Sequence, residues 1–145
     1  PNLIITGPSG CGKTHTACAV LREVLSRRPM TAEFASMTGL LMAVKRAYGS
    51  AEREDQVIDH YANVRLLVID DFGKERLSQW SLPIIWQVID RRYGDMRPTV
   101  FTSQYDRKGL SRRFAEGGGD AEMSQAIVRR MLDGAALVRA ARPDA

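Results

Sequence analysis

The residues best suited to chemistry lie at positions 7–14, which spell G-x-x-x-x-G-K-T. Glycines in such a loop let the backbone turn inward and direct its N–H groups at a phosphate, and a following helix adds the positive end of its dipole. Lys13 supplies a charge for the β- and γ-phosphates of a nucleotide, and the hydroxyl of Thr14 is a ligand for Mg²⁺. The residues predicted to contact the nucleotide are Gly7, Pro8, Ser9, Gly10, Cys11, Gly12, Lys13, Thr14 and His15.

A pair of acidic residues follows an apolar run further along the chain. Residues 66–69 are all apolar and predict a strand, which ends at Asp70 and Asp71. Asp70 is predicted to hold Mg²⁺ directly or through water, and Asp71 to polarise the attacking water. Two acids after a strand are a weak signal alone, because acids often end strands at turns. Together with the glycine loop they favour a nucleotide hydrolase over a passive binder.

Strands and helices that alternate along the chain must position these residues. The predicted strands are residues 3–5, 31–37, 66–70, 99–103 and 135–140. The predicted helices are residues 15–27, 38–49, 51–62 and 78–93, and two short helices on either side of a Gly-Gly-Gly joint, the second at 121–132. Such alternation predicts a parallel sheet with helices on both faces. Ligands bind at the carboxyl ends of such strands, where the glycine loop, the acidic pair and Ser103–Gln104 all fall.

Other side chains are assigned structural roles. The apolar stripe from Ala17 to Leu25 has helical spacing and is predicted to be buried, and Phe34 is expected to anchor the second strand. Three arginines, Arg91, Arg92 and Arg97, flank a turn and are expected to face water.

Length and composition limit the classes of protein that fit. At 145 residues the chain has the length of one domain with its own core. No apolar run approaches the length of a membrane span, and no signal-peptide pattern is present, so we expect a cytoplasmic protein with reduced cysteines and no membrane partner. The net charge of +4 suits a protein that works near nucleic acid, although it is also common in proteins that bind none.

Five segments resemble those of one family, in the same order and at similar spacing. They are residues 10–15, 66–73, 90–93, 98–104 and 126–132. Over nearly its whole length the chain resembles the DnaC/IstB group of AAA+ ATPases. The resemblance implies an α/β P-loop NTPase fold of AAA+ type, with a five-stranded parallel sheet of order 5-1-4-3-2 and helices on both faces. It also implies ATP and Mg²⁺ as cofactors, with ATP hydrolysed between neighbouring subunits of a homo-oligomer.

The same resemblance assigns further residues to the nucleotide site. Thr102, Ser103 and Gln104 match the end of the strand that senses the γ-phosphate. Arg130 matches the arginine that reaches into the neighbouring subunit's site, and Arg129 is the other candidate for that role. His15 matches the family histidine after Lys-Thr, although a surface histidine of the helix explains it equally well.

The resemblance leaves two functions open. We prefer a loader that places the replicative DNA helicase on single-stranded DNA, because residues 126–134 and the glycine joint before them look closer to that branch. The alternative is an IstB-type ATPase that assists a transposase in selecting target DNA, and Gln104 favours it, since loaders more often show Asn there. A nucleotide-bound adaptor that barely hydrolyses is a third possibility, against which Asp71 argues.

A basic stretch follows the sensor strand. Its members are Arg107, Lys108, Arg112 and Arg113, which could line a path for DNA or simply form a solvated helix face. Residues 1–145 are expected to form a single AAA+ ATPase core, with an N-terminal partner-binding region and any lid outside this chain.

Overall fold

Five strands and six helices make up residues 1–141, the part of the chain that this computed structural model describes. The strands are β1 (Leu3–Thr6), β2 (Ala32–Ser36), β3 (Leu66–Asp70), β4 (Thr99–Ser103) and β5 (Ala136–Arg139). The helices are α1 (Lys13–Arg27), α2 (Met37–Arg46), α3 (Ala51–Asn63), α4 (Ser81–Gly94), α5 (Arg107–Ala115) and α6 (Ala121–Leu132). Every predicted strand and helix is present, with bounds that differ by a few residues.

The strands form one parallel sheet in the order β2-β3-β4-β1-β5, which is the predicted order 5-1-4-3-2 counted from the opposite edge. β3 and β4 lie inside the sheet, and every residue of both strands is buried. Because parallel strands end on the same side, the carboxyl ends of β1, β3 and β4 meet at one edge. The loops after these three strands carry most of the predicted site residues.

Helices cover both faces of the sheet, as predicted. Successive side chains of a strand point to opposite faces, so Ile4 and Ile5 of β1 enter different cores. Ile5 packs in a small core with Ala17 of α1, whereas Ile4 belongs to a larger core that α2 to α6 complete. This packing fixes α1, and with it the glycine loop, against the middle of the sheet. Among residues 1–141, no helix combines the length and the apolar character needed to cross a membrane.

Side chains decide where the helices begin. At the starts of α2, α3, α5 and α6 a serine or aspartate oxygen accepts a hydrogen bond from the backbone N–H three residues later. The sequence predicts that α4 starts at Ser78, but the helix begins at Ser81. The Ser78 hydroxyl accepts from the N–H of Ser81 at 3.0 Å, so this serine closes a turn ahead of the helix. Pro83 then falls in the first helical turn, where no N–H is needed.

Two predictions of buried apolar side chains are wrong. Phe34 is 37% exposed, because β2 is an edge strand of the sheet. In the apolar stripe of α1, Ala17 is fully buried and Val20, Leu21 and Val24 are partly buried against the small core, but Leu25 at its end is 37% exposed. α1 is the one helix of the described chain in the small core, so water reaches both of its flanks.

Arg92 lies in the interior, which corrects the expectation that it faces water. Its side chain is 1% exposed. Nε donates to the Thr99 hydroxyl at 2.7 Å, and the terminal nitrogens donate to backbone carbonyls at the end of α3 and just before β3 and β4. Burial, together with a smaller effect of the neighbouring charge of Arg97, lowers the pKa of Arg92 to about 10. The guanidinium therefore joins three chain segments at the amino edge of the sheet, opposite the glycine loop.

Candidate nucleotide-binding site

The backbone of the loop between β1 and α1 requires the glycines of the motif. Gly10 and Gly12 have φ values of +80° and +88°, a conformation that other residues rarely adopt. A Cβ atom at Gly7 would lie 2.5 Å from the carbonyl oxygen of Ala140, so the chain just after β5 approaches too closely for a side chain. Gly12 also precedes the first residue of α1, whose N-terminal N–H groups are available to an anion.

Lys13 is buried at the base of the loop, and the loop itself holds its ammonium group. Nζ donates to the carbonyl oxygen of Pro8 at 2.7 Å and lies 3.8 Å from Sγ of Cys11. Both partners are uncharged in their ordinary states, so an anionic phosphate oxygen would accept a stronger, charge-assisted hydrogen bond. The position of Lys13 therefore fits a phosphate ligand.

An open cavity of about 1010 Å³ lies over the loop and along α1. This volume is ample for a nucleotide. The cavity brings His15 together with the loop and with Asp71, which comes from the turn after β3. Cys18, Arg22 and Ser26 bound its far end on the exposed side of α1, and no sequence motif singles them out.

Thr14 and Asp70, the two predicted metal ligands, meet at the side of the loop. The Thr14 hydroxyl donates to Oδ1 of Asp70 at 2.9 Å and lies 3.1 Å from Oδ2. The Thr102 hydroxyl donates to the same Oδ1 at 2.6 Å and fixes the carboxylate from the other side. A hydroxyl and a carboxylate are hard oxygen ligands, and so small a set leaves positions for phosphate and water, so these residues fit Mg²⁺.

Asp71 occupies an unusual backbone conformation at the rim of the cavity. Its φ of +55° is left-handed, which is uncommon for a residue other than glycine and marks a position that its surroundings hold in place. The N–H of Asp71 donates to the Thr102 hydroxyl at 2.9 Å. Thr102 thereby contacts both acidic residues of the site. The family resemblance places this threonine at the γ-phosphate-sensing end of β4, but its contacts with the two acidic residues were not predicted, because they cross from one strand to the next.

The two residues at the end of β4 have different surroundings. Ser103 is fully buried, and its hydroxyl donates to the carbonyl oxygen of Phe72 at 2.6 Å and accepts from the N–H of Tyr105 at 3.1 Å. Gln104 is exposed and lines a small cavity of about 170 Å³ together with Asp71. Gln104 therefore lies beside the predicted water-activating residue, whereas Ser103 supports the turn beneath it.

Arg129 and Arg130 lie in the last turn of α6, away from the loop of their own chain. The guanidinium of Arg130 stacks 4.6 Å from the ring centre of Trp86, and its Nε is 2.9 Å from Oδ1 of Asp90, close enough for an ion pair but poorly aligned for a hydrogen bond. Arg129 is exposed. Both line a cleft of about 480 Å³ that also includes Arg107. This end of α6 lies at the amino edge of the sheet, because the carbonyl of its Met131 accepts from Asn2, just before β1.

The four residues of the basic stretch divide between two surroundings. Arg107, Lys108 and Arg112 are exposed on α5. Arg113 instead turns inward, where its guanidinium donates to the carbonyl oxygens of the turn after β3 and stacks on an aromatic ring. The expectation that all four residues form one exposed surface is wrong for Arg113.

The fold, the glycine loop and the acidic pair define a P-loop nucleotide-binding domain of the AAA+ class. Residues 1–142 match the family described as IstB-like ATP binding protein, and the chain belongs to that family. The resemblance to the DnaC/IstB group is confirmed, and so is the capacity to bind a nucleotide that the glycine loop predicts.

Curated relatives are named for two different processes. The ATP-binding protein of insertion sequence IS232 from Bacillus thuringiensis subsp. berliner is 31% identical over 94% of this chain and 52% of its own length. The replicative helicase loader DnaC of Escherichia coli (strain K12) is 30% identical over 79% of this chain and 47% of its own length. The chain therefore spans about half the length of the curated relatives it matches.

Solved structures share the fold. The crystal structure of DnaI superposes with a TM-score of 0.80 at 22% identity, and covers 96% of this chain and 72% of DnaI. The crystal structure of the DnaC helicase loader gives a TM-score of 0.76 at 24% identity, over 96% of this chain and 77% of that chain. At such identities the likeness concerns the fold alone.

Proposed function

We propose that this chain is the ATP-hydrolysing AAA+ domain of a DNA replication protein that loads the replicative helicase onto single-stranded DNA. The observation that carries the hydrolytic part is the placement of Asp70 and Asp71 on either side of the Thr102 hydroxyl, next to the glycine loop. The relation to the helicase loader DnaC supports the choice of partner. The IstB-type transposase helper is the second candidate, because the IS232 relative matches 94% of the chain and Gln104 suits that branch.

Binding would use the loop and its metal corner. The N–H groups of the loop and the ammonium of Lys13 bind the β- and γ-phosphates of ATP. Thr14 and Asp70 would hold Mg²⁺, which in such sites neutralises charge on the phosphate oxygens. His15 lies on the wall of the same cavity and bounds the space for the rest of the nucleotide.

Hydrolysis would use residues on both sides of the small cavity. Asp71 accepts the proton of the attacking water at its carboxylate. Gln104, on the wall of the same cavity, positions that water or the γ-phosphate. Arg130 or Arg129 of a neighbouring subunit stabilises the charge that develops on the phosphate oxygens. Since both arginines lie far from the loop of their own chain, hydrolysis would require assembly of a homo-oligomer.

Single-stranded DNA would follow the exposed side of α5. Arg107, Lys108 and Arg112 present three positive charges there without a competing ion pair in the described part of the chain. Fluorescence anisotropy with a labelled oligonucleotide and ATP tests this role, and affinity should fall steeply as salt rises. Replacement of all three residues by glutamine should abolish binding. If that variant binds the oligonucleotide as tightly as the wild type, single-stranded DNA contacts a different surface.

A binding experiment separates the two candidate partners. The longest form of the protein that contains this chain is immobilised in the presence of ATP and offered the purified replicative helicase or the purified transposase of the same organism. Retention of the helicase alone supports the loader, and retention of the transposase alone supports the second candidate. The Lys13→Ala variant is the control, because a nucleotide-dependent partner should be lost with it.

A further inference from the structure

We infer that Arg113 is a positioning residue for Asp71, because it fastens the turn that carries this carboxylate to α5. The turn comprises residues 71–74 and follows β3 directly. The inference rests on the proposed role of Asp71 in ATP hydrolysis. It concerns a residue that the sequence pattern places in a basic stretch on the surface.

The hydrogen bonds of the turn involve β4, α2 and α5, and the N–H of Gly73 donates to Sδ of Met37 on α2 at 3.2 Å. The N–H of Lys74 closes it by donating to the carbonyl oxygen of Asp71 at 3.0 Å. At the end of β4, Thr102 accepts hydrogen bonds from the N–H groups of Asp71 and Phe72 through its hydroxyl and its carbonyl oxygen. The Ser103 hydroxyl donates to the carbonyl oxygen of Phe72. The carbonyls of Gly73 and Lys74 remain, and the guanidinium of Arg113 donates to both. Arg113 therefore completes the backbone hydrogen bonding of the turn.

Close packing between the turn and α5 makes this connection stiff. Gly73 has a φ of +92°, and a Cβ atom there would lie 2.6 Å from Cδ2 of Leu110 on α5. Phe72 is fully buried, with its ring edge to face against Phe114 at 5.6 Å, next to Arg113 in the helix. The turn has no room to shift toward α5, and Arg113 prevents a shift away from it.

Arg113 also connects to the other side of the small cavity. Its guanidinium lies 5.0 Å from the ring centre of Tyr105, within range of a cation–π interaction. The hydroxyl of Tyr105 accepts a hydrogen bond from Nε2 of Gln104 at 3.0 Å. One guanidinium thus supports the turn of Asp71 and the tyrosine that holds Gln104.

The consequence for chemistry follows from the conformation of Asp71. A left-handed aspartate persists only where neighbouring groups fix the backbone. Without Arg113 the outer half of the turn loses its protein donors, and the carboxylate spends less time at the position that faces the water. The glycine loop and Lys13 share no contact with Arg113, so nucleotide affinity should not change.

The test compares variants of Arg113 with a matched control. Arg113→Met keeps an unbranched stem over Tyr105 but removes the donors, and Arg113→Lys restores one donor nitrogen in place of the two that the guanidinium uses. Arg76→Gln is the control, because it breaks an exposed ion pair of 3.3 Å between the same loop and Glu116. We expect kcat for ATP to fall between about five-fold and about 100-fold in Arg113→Met, with unchanged Kd for ATP. Tm should fall only modestly, because water can replace the guanidinium at the exposed carbonyl of Lys74. Arg113→Lys should be intermediate, and the control should match the wild type.

A double variant tests whether the effect passes through Asp71. Once Asp71 is replaced by asparagine, Arg113→Met should cause no further loss of kcat, because residues that act as a unit are not additive. A wild-type kcat in Arg113→Met would overturn the inference. A parallel loss of affinity for ATP, or a full additional loss of kcat in the double variant, would also overturn it.

The proposed function can fail separately. If the wild type does not hydrolyse ATP, or Asp71→Asn hydrolyses it at the wild-type rate, the hydrolytic role of Asp71 is wrong. In that case hydrogen exchange still tests whether Arg113 holds the turn in place, independently of any role of Asp71. Faster exchange of amides 72–74 in Arg113→Met than in Arg76→Gln supports it, and equal exchange overturns it.

Discussion

Replacement of Thr102 by valine should disconnect the two acidic residues of the site while the shape of the strand is kept. Thr102 is completely buried in β4. Its hydroxyl donates to Oδ1 of Asp70 at 2.6 Å and accepts from the N–H of Asp71 at 2.9 Å. Valine has the same branched shape at Cβ and the same preference for strands, so the variant removes these two hydrogen bonds and little else.

The expected loss of stability follows from the two bonds. A hydrogen bond to a charged carboxylate contributes about 1.5–3 kcal/mol, and a buried N–H left without an acceptor costs about 1–3 kcal/mol. Both effects depend on one hydroxyl and are not fully additive, so we expect the free energy of unfolding to fall by about 2–4 kcal/mol. For a domain of this size the corresponding decrease in Tm is roughly 5–15 °C.

Thr102→Val should weaken only the part of nucleotide binding that depends on Asp70, which is the part that requires Mg²⁺. Affinity for ATP in the presence of Mg²⁺ should fall by about ten-fold, which corresponds to about 1.4 kcal/mol. Affinity in EDTA depends on Lys13 and the loop and should match that of the wild type. Calorimetric titrations with and without Mg²⁺ measure both values, and Thr102→Ser is the control because it keeps the hydroxyl. A wild-type Tm and a wild-type Mg²⁺-dependent affinity in Thr102→Val would refute this account of Asp70.

Three further predictions concern other parts of the molecule. Lys13→Ala should abolish ATP binding in a folded protein, because each charge-assisted contact is worth about 1.5–3 kcal/mol; unchanged affinity in a calorimetric titration would contradict the site. Arg130→Ala and Asp71→Asn should each hydrolyse ATP slowly, and a mixture of the two should regain part of the activity if Arg130 acts on the neighbouring subunit's site. If the subunits co-assemble and no activity returns, Arg129 is the residue to test for this role. Arg92→Met should lower the free energy of unfolding, measured in thermal melts, by more than about 3 kcal/mol, because it leaves several buried carbonyl oxygens without a donor. A Tm equal to that of the wild type would refute this.

The architecture could be predicted because it depends on local patterns. Alternating strands and helices determine a parallel sheet, and the family resemblance supplies the order of its strands, which the structure confirms. The predictions for Phe34 and Leu25 failed because the amount of burial depends on neighbours. Whether a strand lies at an edge, and how many helices cover a face, are properties of the assembled sheet.

The candidate site was predictable to the extent that single residue types reveal chemistry. The loop glycines and Lys13 lie in one short segment, and Asp70 ends an obvious strand. The contacts of Thr102 with the acidic pair and the role of Arg113 were missed because the partners lie about 30 to 40 residues away in the chain. Arg92 was misjudged for a related reason, since an arginine near the end of a helix ordinarily extends into water, and only the assembled fold places five carbonyl groups around it.

Thr102 bonds to Asp71 itself, whereas Arg113 bonds to the turn that follows it, and this difference allows metal binding and water activation to be separated. The Thr102 hydroxyl contacts both acids, so its loss should reduce Mg²⁺-dependent affinity and kcat together. Arg113 contacts the turn beyond Asp71 and the ring of Tyr105 and bonds to neither acidic side chain, so its loss should reduce kcat alone. If both variants lowered the Mg²⁺-dependent affinity equally, the turn and the metal corner would have to move as one unit. In that case a change at Asp71 would pass through the backbone to Asp70. Neither Thr102 nor Arg113 would then affect one carboxylate without the other.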